Sequence, residues 1–293
     1  KDNGFYTPRD SKAEAVKKFM LDDTEQKVEM PPYLPPVFRE IVATAPADFV
    51  VSVVNSLLPI LGTLTSYLSA RYPYDGRIHT TSFFSFIYAP PSPGKGFIER
   101  FMDMLFEDLN IRDYVQSERE NIYLRAINKK ADNEHAPDKP HTSLRIIPAK
   151  NSEAEFLEKQ RDNHGYHMFT YAAEMDSWAK GVRAAGGNKD DMIRIAWDNG
   201  MYGQQFKAAN TFKGRVNLYW NVLISGTLQQ VLNYFKNVEN GLVTRCSFTT
   251  IENQEFKAAP TWKPINKRGM EVIRKFMKRC DERTYESPCE IIP

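Results

Sequence analysis

The run Thr80–Tyr88 (TTSFFSFIY) ends at a proline-rich turn, and apolar side chains follow at positions 97, 98, 101, 102, 104, 105 and 109. The first stretch is short, aromatic and β-branched, which reads as a buried strand. The second carries the stripe of an amphipathic helix. A chain that goes from buried strand through a tight turn into such a helix must cross back over its own sheet. The next strand then lies parallel to the first.

The pattern recurs downstream. Thr142–Ile147, His167–Ala173, Asn217–Ile224 and Val243–Ile251 read as strands, and helical patterns lie between them. Ser152 has Glu155 three residues on, a capping-box spacing that starts a helix running to about Asn163, with Gly165 as its stop. Further helices are expected over Met175–Ala184, Asp190–Asp198 after the Gly186-Gly187 break, and Leu228–Phe235. Strands alternating with helices imply an α/β fold with a mainly parallel sheet.

Two flanks complete the division. Residues 1–78 read as a helical prefix: a short helical pattern at Ala13–Leu21, an extended Pro31–Pro36 hinge, then a helical stretch from Val37 to Ala70 broken near Ala45-Pro46 and Pro59. Residues 79–252 form the core, and 253–293 a C-terminal helical extension with a basic amphipathic helix over Asn266–Arg283. The polar segment Ser117–Lys139 reads as an exposed loop or ragged helix ends.

Composition excludes several classes. Lys and Arg number 39 against 37 acidic residues, so the chain is nearly neutral and does not read as a non-specific nucleic-acid coat. Phe49–Leu68 is the most apolar stretch, but Pro59, Gly62 and several Ser and Thr residues make it a buried helix or helix pair rather than a membrane span. No membrane association is expected. Three cysteines without CxxC spacing fit a reduced, cytoplasmic setting. The start KDNGFYTPRD has no apolar signal region and no Met, which reads as a piece of a longer polypeptide.

The turn carries the chemistry. Ala89–Gly96 reads A-P-P-S-P-G-K-G, against the P-loop pattern G-x-x-x-x-G-K-[ST] between strand and helix. Backbone N–H groups from Pro90, Pro91, Ser92, Pro93, Gly94, Lys95, Gly96 and Phe97 onward are the segment expected to cradle phosphate, prolines excepted as donors. Lys95 is placed to reach the β- and γ-phosphates of ATP. Two departures stand out: Ala89 replaces the first Gly, and Gly96 replaces the hydroxyl residue that would hold Mg²⁺. The plain alternative is a glycine-containing turn with Lys95 exposed.

A P-loop enzyme also needs a carboxylate at a neighbouring strand end, to orient Mg²⁺ or the attacking water. Glu174 directly follows the strand HMFTYAA and is the first choice; Asp176 is the second. Both also suit the acidic first turn of a helix. Ser225-Gly226-Thr227 follows NLYWNVLI, where Thr227 either senses a γ-phosphate or caps the next helix. Arg245 in GLVTRCSF either reaches phosphate, in cis or as a finger into a neighbouring subunit, or sits in a structural ion pair.

With APPSPGKG, LRIIPAKNSEAEFLEKQRDNHG, FTYAAEMD, LYWNVLISGT and GLVTRCSF in view, the chain resembles a family of P-loop ATPases with a RecA/DnaB-like core, over roughly 34–251. Its members occur in primase- and helicase-associated proteins of bacterial mobile elements and phages. The resemblance implies a RecA-like P-loop NTPase core that binds ATP and Mg²⁺. It also implies hydrolysis coupled to DNA handling, with single-stranded DNA, a primase or another replication protein, or further copies of the chain as partners. The family's Asp-Glu pair at the acidic strand end appears here as Ala173-Glu174. A nucleotide-binding scaffold that orders its partners without hydrolysis is the alternative.

Overall fold

The computed structural model describes residues 14, 18, 30–74, 76–90, 94–129, 135, 137–183, 189–204, 212–235, 241–251, 260–283 and 289–291. Its centre is a four-stranded, all-parallel sheet in the order β4-β7-β3-β8, built from β3 (Phe84–Tyr88), β4 (Met168–Ala172), β7 (Trp220–Gly226) and β8 (Ser247–Thr250). β3 and β7 are buried along their whole length, so both faces must be covered, as the unbroken apolar runs anticipate.

Helices cover both faces. One face holds α1 (Pro36–Val42), α2 (Val50–Leu64), α3 (Phe97–Leu105) and α9 (Lys267–Glu282), packed through Val53, Leu57, Ile60, Phe101 and Ile273 against Ile87, Phe169 and Leu223. The other holds α5 (Glu153–Asp162), α6 (Met175–Arg183), α7 (Lys189–Trp197) and α8 (Leu228–Tyr234), gathered around Trp178 and Trp220. The alternation of side chains along each strand sorts Phe86 and Val222 to one face and Ile87 and Leu223 to the other.

Several elements differ from the expectation, each for a local reason. Pro59 does not break the second prefix helix: α2 runs through it, the Thr63 hydroxyl donates to the Pro59 carbonyl, and the segment is held by burial against the sheet. With its 3₁₀ lead-in, Ala47–Leu64 is long and apolar enough to cross a membrane by length and composition, yet 61% of it is buried inside the protein. It is the central core helix. Leu68–Ala70, expected as helix, falls in β1 (Leu68–Arg71), antiparallel to β2 (Ile78–Thr80) and parallel to β9 (Cys289–Ile291). Packing therefore crosses the division at residue 78, since α2 lies on the core sheet and α9 on α1.

The expected loop Ser117–Lys139 is helical to Lys129, as the end of the 23-residue α4 (Glu107–Lys129). Its weak helical stripe hid it, because only Leu109 and Asp113 are buried. Thr142–Ile147 makes a single parallel bridge, Ile146 to Phe169, rather than a strand. Val243–Arg245 is a 3₁₀ turn, so the last core strand begins only at Ser247. A small hairpin of β5 (Met201–Gln204) and β6 (Gly214–Asn217) had no sequence signal strong enough to separate it from loop. The expected Ala13–Leu21 helix has only Glu14 and Lys18 among the described residues, both helical, and Gly186-Gly187 lie outside them.

At the amino ends of the strands the polar groups are interlocked. The Arg145 guanidinium donates to the carbonyls of His167 and Thr63 and to the Ser66 hydroxyl. The His167 amide also donates to Ser66 Oγ, 2.9 Å away. Thr80 donates its hydroxyl to Asn199 Oδ1 and so receives its 2.9 Å contact with His167 as a donation from Nε2. Nδ1 of that ring is buried without a partner. Burial, then the nearby Arg145 charge, holds His167 down at a pKa of about 3, so the ring is neutral.

Candidate functional site

β3 leaves the centre of the sheet, and Gly94 lies three residues before α3 begins. Pro91, Ser92 and Pro93 lie outside the described residues. Ala89 is buried, and its N–H donates to the Gly226 carbonyl at the end of β7, continuing the parallel ladder by one step. Ala89 does not have a positive φ, so its backbone tolerates a side chain where the usual motif has Gly.

Gly96 occupies the N-cap of α3 with φ −62° and makes no side-chain cap. α5, α8 and α9 each have one, from Ser152, Thr227 and Asn266. The first turn of α3 therefore keeps backbone donors without a capping side chain, at the positive end of the helix dipole. A Cβ on Gly96 would meet nothing within 4 Å, and one on Gly94 only the Phe49 ring at 3.5 Å. Neither glycine is required by crowding or by positive φ. Their smallness leaves room above the turn.

The Lys95 ammonium lies 3.5 Å from the Gly226 carbonyl, so the side chain folds back over the carboxyl end of β7. Pro90 is half-buried at the start of the loop. Phe97 turns inward: its ring stacks on Trp262 at 5.3 Å and meets Phe49 edge-on at 6.0 Å. Of the expected phosphate-contacting residues it can offer only its backbone N–H.

The acidic strand end lies beyond β7, since β4 pairs with β7 and not with β3. Glu174 is exposed just past β4, and Asp176 is exposed in the first turn of α6. Between Lys95 and Glu174 sits Ser225, fully buried, whose hydroxyl donates to the Ala173 carbonyl at 2.6 Å. Tyr171 reaches the same place: its hydroxyl is hydrogen-bonded to Ser225, and the charges of Glu99 and Glu174 both bear on it. Burial first, then those carboxylates, push the Tyr171 phenol above its ordinary range. Tyr171 and Glu99 were not anticipated. The period-2 parity of β4 and the first-turn place of Glu99 in α3 were the available signals, but each also fits an ordinary structural residue.

Position bears on two readings that the sequence left open. Thr227 is the N-cap of α8, in a reciprocal capping box with Gln230, which commits its hydroxyl. Arg245 precedes β8 and so lies at the amino ends of the strands. Ser247 pairs with Ser85, three residues before the end of β3, so the sheet separates Arg245 from the loop by more than about 10 Å. In cis it cannot reach the segment around Lys95. Instead it donates to the Gly241 carbonyl at 2.8 Å and faces Asp198 at 3.7 Å, the structural pairing.

Chemically, this edge offers uncapped backbone donors, one lysine and one carboxylate across an intervening strand. Among the described residues no three His, Cys, Asp or Glu side chains converge to hold a metal by themselves. No family model matches this chain. No curated protein matches it significantly either.

Proposed function

We propose that the β3–α3 junction binds the phosphates of ATP and that the chain is a RecA-like P-loop ATPase acting on DNA in replication or on a mobile element. The observation that carries this reading is Lys95 folded over the carboxyl end of the sheet beside an uncapped helix start. Open parallel sheets bind ligands at that edge, and anions favour such helix starts. The order of strands supports it further: β7 lies between the loop-bearing β3 and the acidic end of β4, so lysine and carboxylate stand at one edge of the sheet with a single strand between them.

The residues fit Mg²⁺ of the kind that arrives with a nucleotide. That ion keeps several waters and needs only one or two carboxylates besides phosphate oxygens, which Glu174, with Asp176 nearby in sequence, would supply. Mg²⁺ would neutralise charge on the transferring phosphoryl group. Gly96 adds no ligand, while Lys95 holds phosphate and Glu174 orients water. The lack of a hydroxyl at Gly96 also favours the second reading, a scaffold that binds nucleotide without hydrolysis.

Thermal midpoints with a non-hydrolysable ATP analogue and Mg²⁺ test binding. A rise in the parent that Lys95→Ala abolishes is expected, and an equal rise in both proteins would sink the site. Phosphate release with and without single-stranded DNA separates motor from scaffold.

The DNA part of the proposal draws on α9, whose Lys275, Lys278 and Arg279 are all exposed. Replacing the three with Glu should weaken binding of a fluorescent oligonucleotide and flatten its salt dependence, with nucleotide affinity unchanged. Equal salt slopes in mutant and parent would assign the helix to solvent.

A further inference from the structure

A cavity of about 400 Å³ opens at the amino ends of the strands, between α3, α4 and α9, on the opposite edge from Lys95. Its size falls in the range of small-molecule sites. Leu64, Leu105, Leu109 and Met277 give it apolar walls. Asp113 stands in one wall, 8% exposed.

The hydrogen bonding of that carboxylate is one-sided. Oδ2 accepts from the amides of Arg145 at 3.0 Å and Ile146 at 2.6 Å. Oδ1 is buried with no partner. Arg145 lines the same cavity, but its hydrogen bonds run to His167, Thr63 and Ser66, away from the carboxylate. Arg112, also in the lining, is engaged by Asp281 at 2.6 Å. The Arg145 and Arg112 guanidiniums thus make their hydrogen bonds elsewhere, and Oδ1 has no donor among the described residues. A buried carboxylate in that condition is costly unless something donates to it. Burial correspondingly raises the Asp113 pKa, against the opposing pull of the two amides and of Arg145 and Arg112.

We propose that this cavity is a binding site for a small organic cation, a primary ammonium on an apolar body, with the ammonium donating to Asp113 Oδ1 and the body against Leu105, Leu109 and Met277. The site is independent of the nucleotide reading, because no residue of the β3–α3 junction lines it.

Phenethylamine is a suitable probe, with 2-phenylethanol as its uncharged counterpart. At ten times its dissociation constant the amine should raise the thermal midpoint by about 2–3 °C in the parent and equally in Lys95→Ala. Asp113→Asn, which keeps an acceptor for the two amides, should lose the rise, and the alcohol should bind at least tenfold more weakly than the amine. Met277→Trp, which fills the cavity from α9 without touching Asp113, should also abolish it. Should Asp113→Asn fail to fold, the amine–alcohol comparison and Met277→Trp still decide. Equal affinity for amine and alcohol, an undiminished shift in either cavity variant, or no shift in the parent up to millimolar amine would overturn the assignment.

Discussion

The two ends of the parallel sheet are built on opposite plans. At the amino end, hydrogen bonds link Arg145, His167, Ser66, Thr80 and Asn199 to one another and to backbone, and the His167 ring is buried. At the carboxyl end, Lys95, Gly96 and Glu174 sit at or near the surface, with one long lysine contact and no helix cap. The first end is organised to hold the strands in register. The second leaves polar groups uncommitted, the condition a ligand edge needs. Stability should therefore depend on the amino-end network, and nucleotide binding on the carboxyl end.

The largest effect expected is on stability. Arg145→Met removes the guanidinium that ties α2 to β4 and leaves the Thr63 and His167 carbonyls without that donor, so unfolding free energy should fall by about 2–4 kcal/mol. Urea unfolding measures it. A loss under about 1 kcal/mol would mean the amino end is not the anchor. Lys95→Ala should change stability by less than about 0.5 kcal/mol. It should instead remove the stabilisation of about 2.7 kcal/mol that a nucleotide gives at a hundred times its dissociation constant.

Much of this division could be read from the sequence, and the part that could not has physical reasons. The β3–loop–α3 junction was legible because a buried strand, a Gly-Lys turn and an amphipathic helix each have a distinct local signature. Thr227 and Arg245 were ambiguous because a cap and a phosphate sensor call for the same hydroxyl, and a finger and a structural ion pair for the same guanidinium. Only register decides, and register is a non-local property. The amino-end network was invisible for a related reason. Arg145 and Thr63 are 82 residues apart, and Thr80 and His167 are 87 apart. The sequence contains no local signal of such pairings. α4 was missed because it is polar along most of its length and only its Leu109 and Asp113 are buried.

The third test follows from His167. Its ring is held at a pKa of about 3 against an ordinary 6.5, so the folded state binds fewer protons than the unfolded chain between those values. Stability from this group is fully present above 6.5 and is lost as pH falls toward 3. By pH 5 the loss should reach about 2 kcal/mol. Asp113, raised by burial, acts in the opposite sense in acid. The comparison to make is therefore parent against His167→Gln, and the variant should lose about 2 kcal/mol less between pH 7 and pH 5. Parallel pH curves would show that the amino end tolerates a charged ring. The smallest effect belongs to Gly96→Ser. Open space around position 96 accommodates the side chain, so stability should move by less than about 0.5 kcal/mol. If the missing hydroxyl limits metal binding, Mg²⁺ dependence of nucleotide affinity should sharpen. An unchanged dependence would place the metal on Glu174 or Asp176 alone.

The course of α2 has a consequence for how the chain is made. The helix is synthesised before every core strand, yet its buried Ser52 donates to the Thr250 carbonyl and its buried Asn55 to the Thr249 hydroxyl, 198 and 194 residues later. The middle of the helix lies under β3, β7 and β4. A nascent chain that stops short of β8 presents an apolar helix whose Ser52 and Asn55 lack their β8 partners and whose covering sheet is incomplete. Contacts at such separations make folding slow and leave apolar surface open in the interval. Completion of the core thus waits on the last strand, so shortened products ending between β7 and β8 should aggregate rather than persist as folded fragments.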